Sequence, residues 1–286
     1  MTETLEKKGM TLITDSFVCR TLQFQERLEK LLYDIHTEFP EKVYSLELLF
    51  EKFSGFLKTD MDDGGRFDAL IKAAAELTSQ EAPRWEMIAG WLLDFRFSEK
   101  LKEEEKSIGI SDLYEKIVYL TEKGLYGSYI MENYSKEEIV EAESYICKER
   151  NRLFNYSGLD LLIKRYVIST HRHVPLESPQ EMFLGIALHL AMNEKRKIRL
   201  MWVREFYDML SKLEVTMATP TLANARKPFH QLSSCFIDTV PDSLKGIFRS
   251  IDNFAMVSKY GGGMGLYFGK VRASGLRGYR SGTERP

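Results

Sequence analysis

One cysteine, Cys235, stands in a setting that suits redox chemistry. It follows Ser233 and Ser234 in a short run, 231–237, that leans apolar and is bounded by turns, as is typical of a β-strand. The thiol would be a redox group facing a cavity or a buried structural cysteine, and the spacing alone favours the structural cysteine because free cysteine is commonly buried. The two serines would donate to a ligand phosphate or cap the next turn.

A glycine-rich segment, 261–265, could hold phosphate oxygens on its backbone N–H groups. It is not a Walker A loop, because no Gly-Lys-Ser/Thr follows, and it lacks the dinucleotide-binding fingerprint. Its glycine content alone favours a tight turn over a phosphate cradle. Thr219, in a Thr-Pro-Thr segment, is also explained first by a turn.

Charged residues flank the second predicted strand. Arg272, Arg277 and Arg280 add positive charge beyond it, and a guanidinium suits phosphate. A phosphate site and a solvated surface are equally supported for these arginines. Asp242, at a predicted helix start, is first of all an N-cap, and its second oxygen could accept from a ribose hydroxyl.

The cysteines and histidines indicate no metal site. The three cysteines, Cys19, Cys147 and Cys235, are too few for a disulfide framework and fit a reducing cytoplasm. No CxxC or Cys/His cluster suggests zinc. His171 and His173 are close in sequence, but two histidines spaced this way on a loop are far more often solvated than metal-bound.

Apolar periodicity predicts helices from residue 1 to about 165, so that an all-α domain is the simplest fold for this half. Residues 62–65 are a turn or helix start, and Ser135–Glu138 is a capping box. The predicted helices cover 21–39, 46–57, 66–78, a stretch that Pro83 opens in its first turn, and 139–147.

After Val174 the pattern changes toward a parallel α/β arrangement. Strand, helix and strand follow one another, which predicts the opening of an α/β domain. The predicted order is a capping box at Ser178–Glu181 with its helix, a helix at about 197–213, a basic stretch at 226–230, a strand at 231–237, a helix from Asp242 to about Tyr260, and a strand at 266–268.

Composition narrows the function classes. The 286 residues carry a formal net charge of −2, so no global basic field attracts nucleic acid. No apolar run approaches the roughly 20 residues that span a bilayer, which predicts no membrane association. The polar start, 1–10, predicts no secretion signal.

Several motifs, taken together and in order, resemble the large (alpha) subunits of class I ribonucleotide reductases. The similarity runs from about residue 65 to 280 and corresponds to the N-terminal portion of that family. The segments that carry it are 122–126, 155–159, 177–183, 218–222, 231–235, 242–244, 258–265 and 271–275.

The resemblance implies a helical domain followed by a ten-stranded α/β barrel. We therefore expect an N-terminal helical extension at 1–64 with no clear ATP-cone, an all-α domain at 65–175, and the incomplete start of the barrel at 176–286.

The resemblance also implies the reduction of ribonucleotides to 2′-deoxyribonucleotides in the cytoplasm, with a radical delivered by a metal-containing small subunit. No cofactor is bound directly; a dithiol supplies reducing equivalents, and ATP and deoxynucleotides act as effectors. Cys235 is implied as one of two reducing thiols, and Thr219, Ser234 and Gly263 as substrate contacts. The implied effector contacts are Asp242, Ser243, Leu244, Arg272 and Leu276.

The sequence also departs from the family. The radical-bearing cysteine, the partner of Cys235, the substrate Asn and Glu and the C-terminal cysteine pair have no counterpart here, and the effector loop near 274–278 is short. We therefore expect a truncated or split enzyme that needs a complementary C-terminal fragment and is a homodimer when complete. The alternatives are a non-catalytic nucleotide-binding or interaction module and, less favoured, a helical adaptor with a disordered C-terminal third.

Overall fold

Helices and loops form the chain up to residue 224 in the computed structural model, which describes residues 2–17, 21–170, 172 and 174–273. This confirms the predicted helical N-terminal half. The helices are α1 (Thr2–Asp15), α2 (Leu22–Glu38), α3 (Leu46–Ser54), α4 (Asp63–Glu76), α5 (Trp85–Ile108), α6 (Leu113–Glu122), α7 (Tyr129–Asn133), α8 (Lys136–Glu143), α9 (Tyr156–Arg165), α10 (Pro179–Ala191), α11 (Arg196–Ser211) and α12 (Thr219–Asn224), with 3-10 helices at Lys42–Tyr44 and Lys148–Leu153.

Side-chain caps fix many of the helix starts, as local sequence rules predict. The capping boxes of α8 and α10 are both present, with Ser135 and Ser178 as the N-cap residues. Asp62 caps α4 by accepting from the Gly65 N–H at 2.8 Å. Such caps join residues three apart in sequence, so they can be recognised without tertiary information.

Three local predictions were wrong. Pro83 lies in the turn before α5, which begins at Trp85. Helix α8 ends at Glu143, earlier than expected. The Thr-Pro-Thr segment is a helix, α12, because Pro220 occupies its first turn, where a missing N–H removes no helical hydrogen bond.

Two clusters of buried apolar side chains make up the interior. The first extends from Ile13 to Leu92, and the second from Phe97 to Ala225. Helix α5 contributes to both, so it joins the two halves of the helical part. Each cluster is continuous across one of the boundaries expected from the sequence, and the division into domains at 64/65 and 175/176 stays a prediction.

A parallel β–α–β unit follows the helices and confirms the predicted strand, helix and strand. It consists of β1 (Cys235–Thr239), α13 (Leu244–Lys259) and β2 (Gly263–Tyr267). The two strands pair in parallel from Cys235 opposite Gly263 to Thr239 opposite Tyr267. Strand β1 begins later than predicted and β2 earlier. The unit is consistent with the opening of an α/β barrel.

The β–α–β unit buries little of its own apolar surface. Ser250 is the only buried residue of α13, while Leu244 is 74% exposed and Ile237 of β1 is 88% exposed. Among the described residues, no helix is both long and apolar enough to cross a membrane.

Candidate functional site

The expected reducing thiol and two of the three expected substrate contacts meet where both strands begin. Cys235 and Gly263 are the first paired residues of the sheet. The Gly263 N–H donates to the Ser234 carbonyl at 2.7 Å, and the Ser234 hydroxyl lies 3.6 Å from the Cys235 sulfur. Backbone pairing therefore holds the thiol, the serine hydroxyl and a side-chain-free position side by side.

Cys235 is exposed, so the buried structural cysteine favoured by spacing alone is wrong. The described sheet has only two strands, and Ser234, Cys235 and Gly263 at this end of it are all exposed. An exposed thiol at a strand start is available to a ligand or to a second thiol.

Thr219, the remaining expected substrate contact, lies near this end of the sheet. Its hydroxyl is 3.1 Å from the Tyr166 hydroxyl. A Cβ added to Gly261 would lie 3.7 Å from the Thr219 methyl group, and Gly261 has a φ of 83°, which few side chains tolerate. The turn before β2 therefore passes directly beside α12.

The glycine segment is a tight turn, as its composition favoured, and offers little to a phosphate. The N–H of Gly261 donates to Ser258, that of Gly262 to Val257, and that of Gly263 to Ser234. These three donors are used within the protein, so the phosphate-cradle alternative finds no support.

Asn224, at the end of α12, makes hydrogen bonds to the segments that precede both strands. Its side-chain amide donates to the Gln231 carbonyl at 2.9 Å and to the Tyr260 carbonyl at 3.0 Å. Gln231 lies in the segment before β1, and Tyr260 is the residue after α13. One amide group therefore fixes the positions of the segments that lead into β1 and β2 relative to α12.

A buried ion pair anchors α12 to the helical part. The Arg226 Nε donates to both Glu177 carboxylate oxygens at 3.0 Å, and its other nitrogens donate to the Leu222 and Tyr166 carbonyls at 2.8 Å. Glu177 also accepts from the Ile168 N–H at 2.8 Å. Burial alone lowers the pKa of Arg226, but Glu177 outweighs it, and the pKa lies above its usual value.

Arg226 belongs to the basic stretch 226–230 noted in the sequence, and the structure buries it completely, with 0% of the residue exposed. Its planar, permanently charged guanidinium can satisfy one carboxylate and two carbonyls at once, which makes it suited to a buried position.

The expected effector residues gather beyond the other ends of the strands. Arg272 Nε donates to the Asp242 carboxylate at 2.6 Å, and its Nη2 to the Asp242 carbonyl at 3.3 Å. Asp242 is therefore not the N-cap of α13, contrary to prediction. Ser243 takes that role and accepts from the Gly246 N–H at 3.1 Å. Leu244 is exposed beside them.

The expected substrate-site residues and the expected effector residues lie at opposite ends of the pair of five-residue strands. At roughly 3.3 Å per residue, the strands separate them by about 13 Å. The remaining expected effector residue, Leu276, and the arginines at 277 and 280 lie outside the described residues.

The part of the chain that the structure describes contains no group of three or more metal-ligating side chains. Cys147 and Cys235 are free thiols. His171 and His173 lie outside the described residues.

Sequence reasoning missed three residues that shape this site: Tyr166, Asn224 and the buried Arg226. Tyr166 lies 53 positions from Thr219, and no local pattern joins them. For Arg226 the one pointer was that its partner Glu177 opens one of the segments that carry the family resemblance. The structure then buries Glu177, and a buried carboxylate needs a partner.

Comparison with known proteins agrees with this architecture. Residues 152–230 match the all-alpha domain of ribonucleotide reductase, and residues 233–283 match its barrel domain. The chain is 60% identical over 252 residues to the ribonucleoside-diphosphate reductase subunit alpha of Treponema pallidum, covering 87% of this chain and 30% of that protein.

More distant relatives give the same picture. The ribonucleoside-diphosphate reductase subunit alpha of Helicobacter pylori strain 26695 is 39% identical over 72% of this chain and 25% of its own length. The ribonucleoside-diphosphate reductase 1 subunit alpha of Escherichia coli K12 is 29% identical over 73% of this chain and 27% of its own length. The chain thus spans less than a third of the length of these relatives. It belongs to the ribonucleotide reductase large-subunit family, of which it contains all-alpha and barrel-domain sequence.

Proposed function

We propose that this chain is part of a ribonucleoside-diphosphate reductase large subunit, acting in the cytoplasm, and that it supplies one reducing thiol and part of the substrate site. The observation that carries the proposal is the grouping of Cys235, Ser234 and Gly263 at the start of the paired strands, with Thr219 close by. Large subunits of this family work with a separate small subunit, which we propose as the source of the radical.

The proposed chemistry needs two thiols. Reduction of the ribose 2′ carbon releases its hydroxyl as water and oxidises two thiols to a disulfide, so that two electrons and two protons balance. Cys235 is the exposed thiol beside the proposed substrate contacts, whereas Cys147 precedes a 3-10 helix in the helical part. The second thiol must approach Cys235 to within disulfide geometry, with Cα atoms roughly 4.4–6.8 Å apart. We assign it, with the radical-bearing cysteine, to sequence beyond this chain.

The substrate contacts would act as hydrogen-bond donors. The hydroxyls of Thr219 and Ser234 can each donate to a phosphate or ribose oxygen of a ribonucleoside diphosphate. At Gly263 the missing side chain leaves room for the ligand beside Cys235. The complementary segment and a second copy of the large subunit would complete the enzyme.

The redox assignment is tested by Cys235→Ser in the complete reductase, with Cys147→Ser as the matched control. With dithiol as the reductant, we expect Cys235→Ser to abolish multiple turnover of CDP and the control to retain the parent rate within about twofold. Unchanged multiple turnover in Cys235→Ser would remove Cys235 from the redox role. This chain without the complementary segment is expected to show no turnover.

For the effector site, we propose that Asp242, Ser243, Leu244 and Arg272, together with Leu276, hold a deoxynucleotide. The existing Arg272–Asp242 contact places a cation and a carboxylate side by side. Asp242 would accept from the sugar hydroxyl, and Arg272 would turn toward a phosphate. A charge-assisted hydrogen bond contributes roughly 1.5–3 kcal/mol.

The effector assignment is tested by calorimetric titration of the complete large subunit with dTTP, dGTP and dATP. Arg272→Ala should weaken binding by about tenfold or more, as expected for a charge-assisted contact, while the exposed Arg165→Ala serves as the control. If Arg272→Ala binds as tightly as the parent, the effector assignment is wrong.

The non-catalytic nucleotide-binding module is the second candidate, because the Asp242–Arg272 pair lies within this chain. It requires tight deoxynucleotide binding by this chain alone. A reductase segment is expected to bind weakly until the complementary segment is added, since ordering the site then lowers the entropy cost of binding.

A further inference from the structure

A tyrosine of the helical part contacts the proposed substrate threonine. Tyr166 follows α9, and its side chain belongs to the second buried cluster, with 7% of the residue exposed. Its hydroxyl lies 3.1 Å from the Thr219 hydroxyl, and Thr219 itself is half-buried at the start of α12. Among the described residues, this is the one hydrogen bond between two neutral side chains that joins a proposed substrate contact to the rest of the helical part.

The position of Tyr166 is fixed by its backbone. Its N–H donates to the Leu162 carbonyl at 3.0 Å, and its carbonyl accepts from Arg226 at 2.8 Å. Arg226 is held in turn by Glu177. The hydroxyl of Tyr166 is therefore presented to Thr219 by a fully buried ion pair, not by a loop.

The two hydroxyls carry one proton each, so the direction of the bond decides what Thr219 can offer a ligand. A phenol is the more acidic of the two and is the better donor, while the aliphatic hydroxyl is the better acceptor. When Tyr166 donates to Thr219, the threonine proton stays free. A phosphate oxygen accepts and does not donate, so it requires that free proton.

We propose that Tyr166 is a positioning residue that orients the Thr219 hydroxyl as a donor to the ribonucleoside diphosphate. This rests on the proposed function, in which Thr219 contacts the substrate. The phenol acts before the substrate arrives: it fixes the threonine rotamer and donates the hydrogen bond to the Thr219 oxygen instead of accepting one from it. Without the phenol, the threonine hydroxyl can turn toward other acceptors.

The test is steady-state kinetics with CDP in the complete reductase, using Tyr166→Phe, Thr219→Val and the double variant. Tyr166→Phe should raise KM by about threefold to tenfold, the factor for one neutral hydrogen bond, with kcat within about twofold. Thr219→Val should raise KM at least as much, and Tyr166→Phe should then add nothing. The control is Tyr33→Phe, whose tyrosine is 61% exposed.

The two levels of the proposal fail differently. If Thr219→Val leaves KM unchanged, the substrate role of Thr219 fails and the positioning role fails with it. If Thr219→Val raises KM but Tyr166→Phe does not, or if the two effects add, only the positioning role is overturned. If Tyr166→Phe lowers both kcat and the melting temperature, the role of Tyr166 is purely structural, and the positioning role is overturned as well.

Discussion

At the residue scale, two acids of the helical part, the buried Glu177 and the partly buried Asp94, differ in how their charge is balanced. Glu177 is paired with Arg226, whereas Asp94 has no salt bridge among the described residues. Asp94 accepts from the Asn151 amide at 2.8 Å, and Asn151 accepts from Gln180 at 2.9 Å. Burial raises the pKa of the Asp94 carboxyl to about 6, against the Asn151 hydrogen bond and the more distant Arg152 and Lys102.

This raised pKa makes Asp94 a destabilising charge near neutral pH. Below about pH 4 the carboxyl is protonated in the folded and unfolded states alike, so it has no effect. Between about pH 4 and 6 the unfolded chain loses the proton first, and stability falls as pH rises. Above pH 6 the full penalty is present.

Asp94→Asn is therefore expected to stabilise the protein above pH 6 by about 1–3 kcal/mol, since one pKa unit corresponds to about 1.4 kcal/mol. The gain should disappear below pH 4. Urea unfolding at pH 3, 5.5 and 7.5 measures it, with the exposed Asp60→Asn as control. A gain that does not change with pH would contradict this explanation.

At the scale of elements, the Glu177–Arg226 pair joins four parts of the chain. It connects the residue after α9, the segment before α10, the end of α12 and the backbone at Ile168. Breaking a buried ion pair on one side leaves an unpaired charge, which typically costs about 3–5 kcal/mol. The pair therefore fixes where α12, and with it Thr219, sits against the helical part.

We expect Arg226→Met to lower the free energy of unfolding by about 3–5 kcal/mol, and Glu177→Gln to have a cost of similar size. The double variant should cost clearly less than the sum, because it leaves no unpaired charge. Chemical denaturation of the four proteins measures this. Lys164→Met, which breaks the exposed Lys164–Asp160 pair, should cost less than about 1 kcal/mol. Additive costs would argue against a charge-pair role.

At the scale of the whole molecule, the helical part buries its apolar residues and the β–α–β unit does not. Beyond Leu244 and Ile237, the exposed large apolar side chains of the unit and the residue after it are Phe248, Ile251, Phe254, Met256, Tyr267 and Phe268. Each Å² of apolar surface left in water forgoes about 25 cal/mol. In the relatives, sequence beyond the matched part is available to cover such a surface, and we propose that it does so here.

In this chain alone, the rate of amide hydrogen exchange should therefore change at about residue 215. Amides of residues 25–210 are expected to be protected, and those of β1, α13 and β2 to exchange within the fastest measured times. Adding the complementary segment should slow exchange in the β–α–β unit. Strong uniform protection of that unit in the isolated monomer would instead indicate an independent domain.

The family and the order of elements could be predicted from the sequence, and the site could be predicted only in part. The capping boxes at Ser135 and Ser178 were predicted correctly because each joins a side chain to a backbone N–H three residues away. The N-cap of α13 was assigned to Asp242 instead of Ser243 because Arg272, 30 positions later, engages that carboxylate. Adjacent cap candidates cannot be separated without knowing such a distant partner.

Sequence by itself determined what depends on neighbouring residues: the helical periodicity, the capping boxes, the strand–helix–strand order and the motifs that mark a ribonucleotide reductase large subunit. Tertiary structure decided which groups are buried and which distant groups meet. It exposed Cys235, buried Arg226 against Glu177, and placed Tyr166 on Thr219. The reason is physical: periodicity and caps act over one turn of helix, whereas burial and long-range hydrogen bonds depend on how whole elements pack.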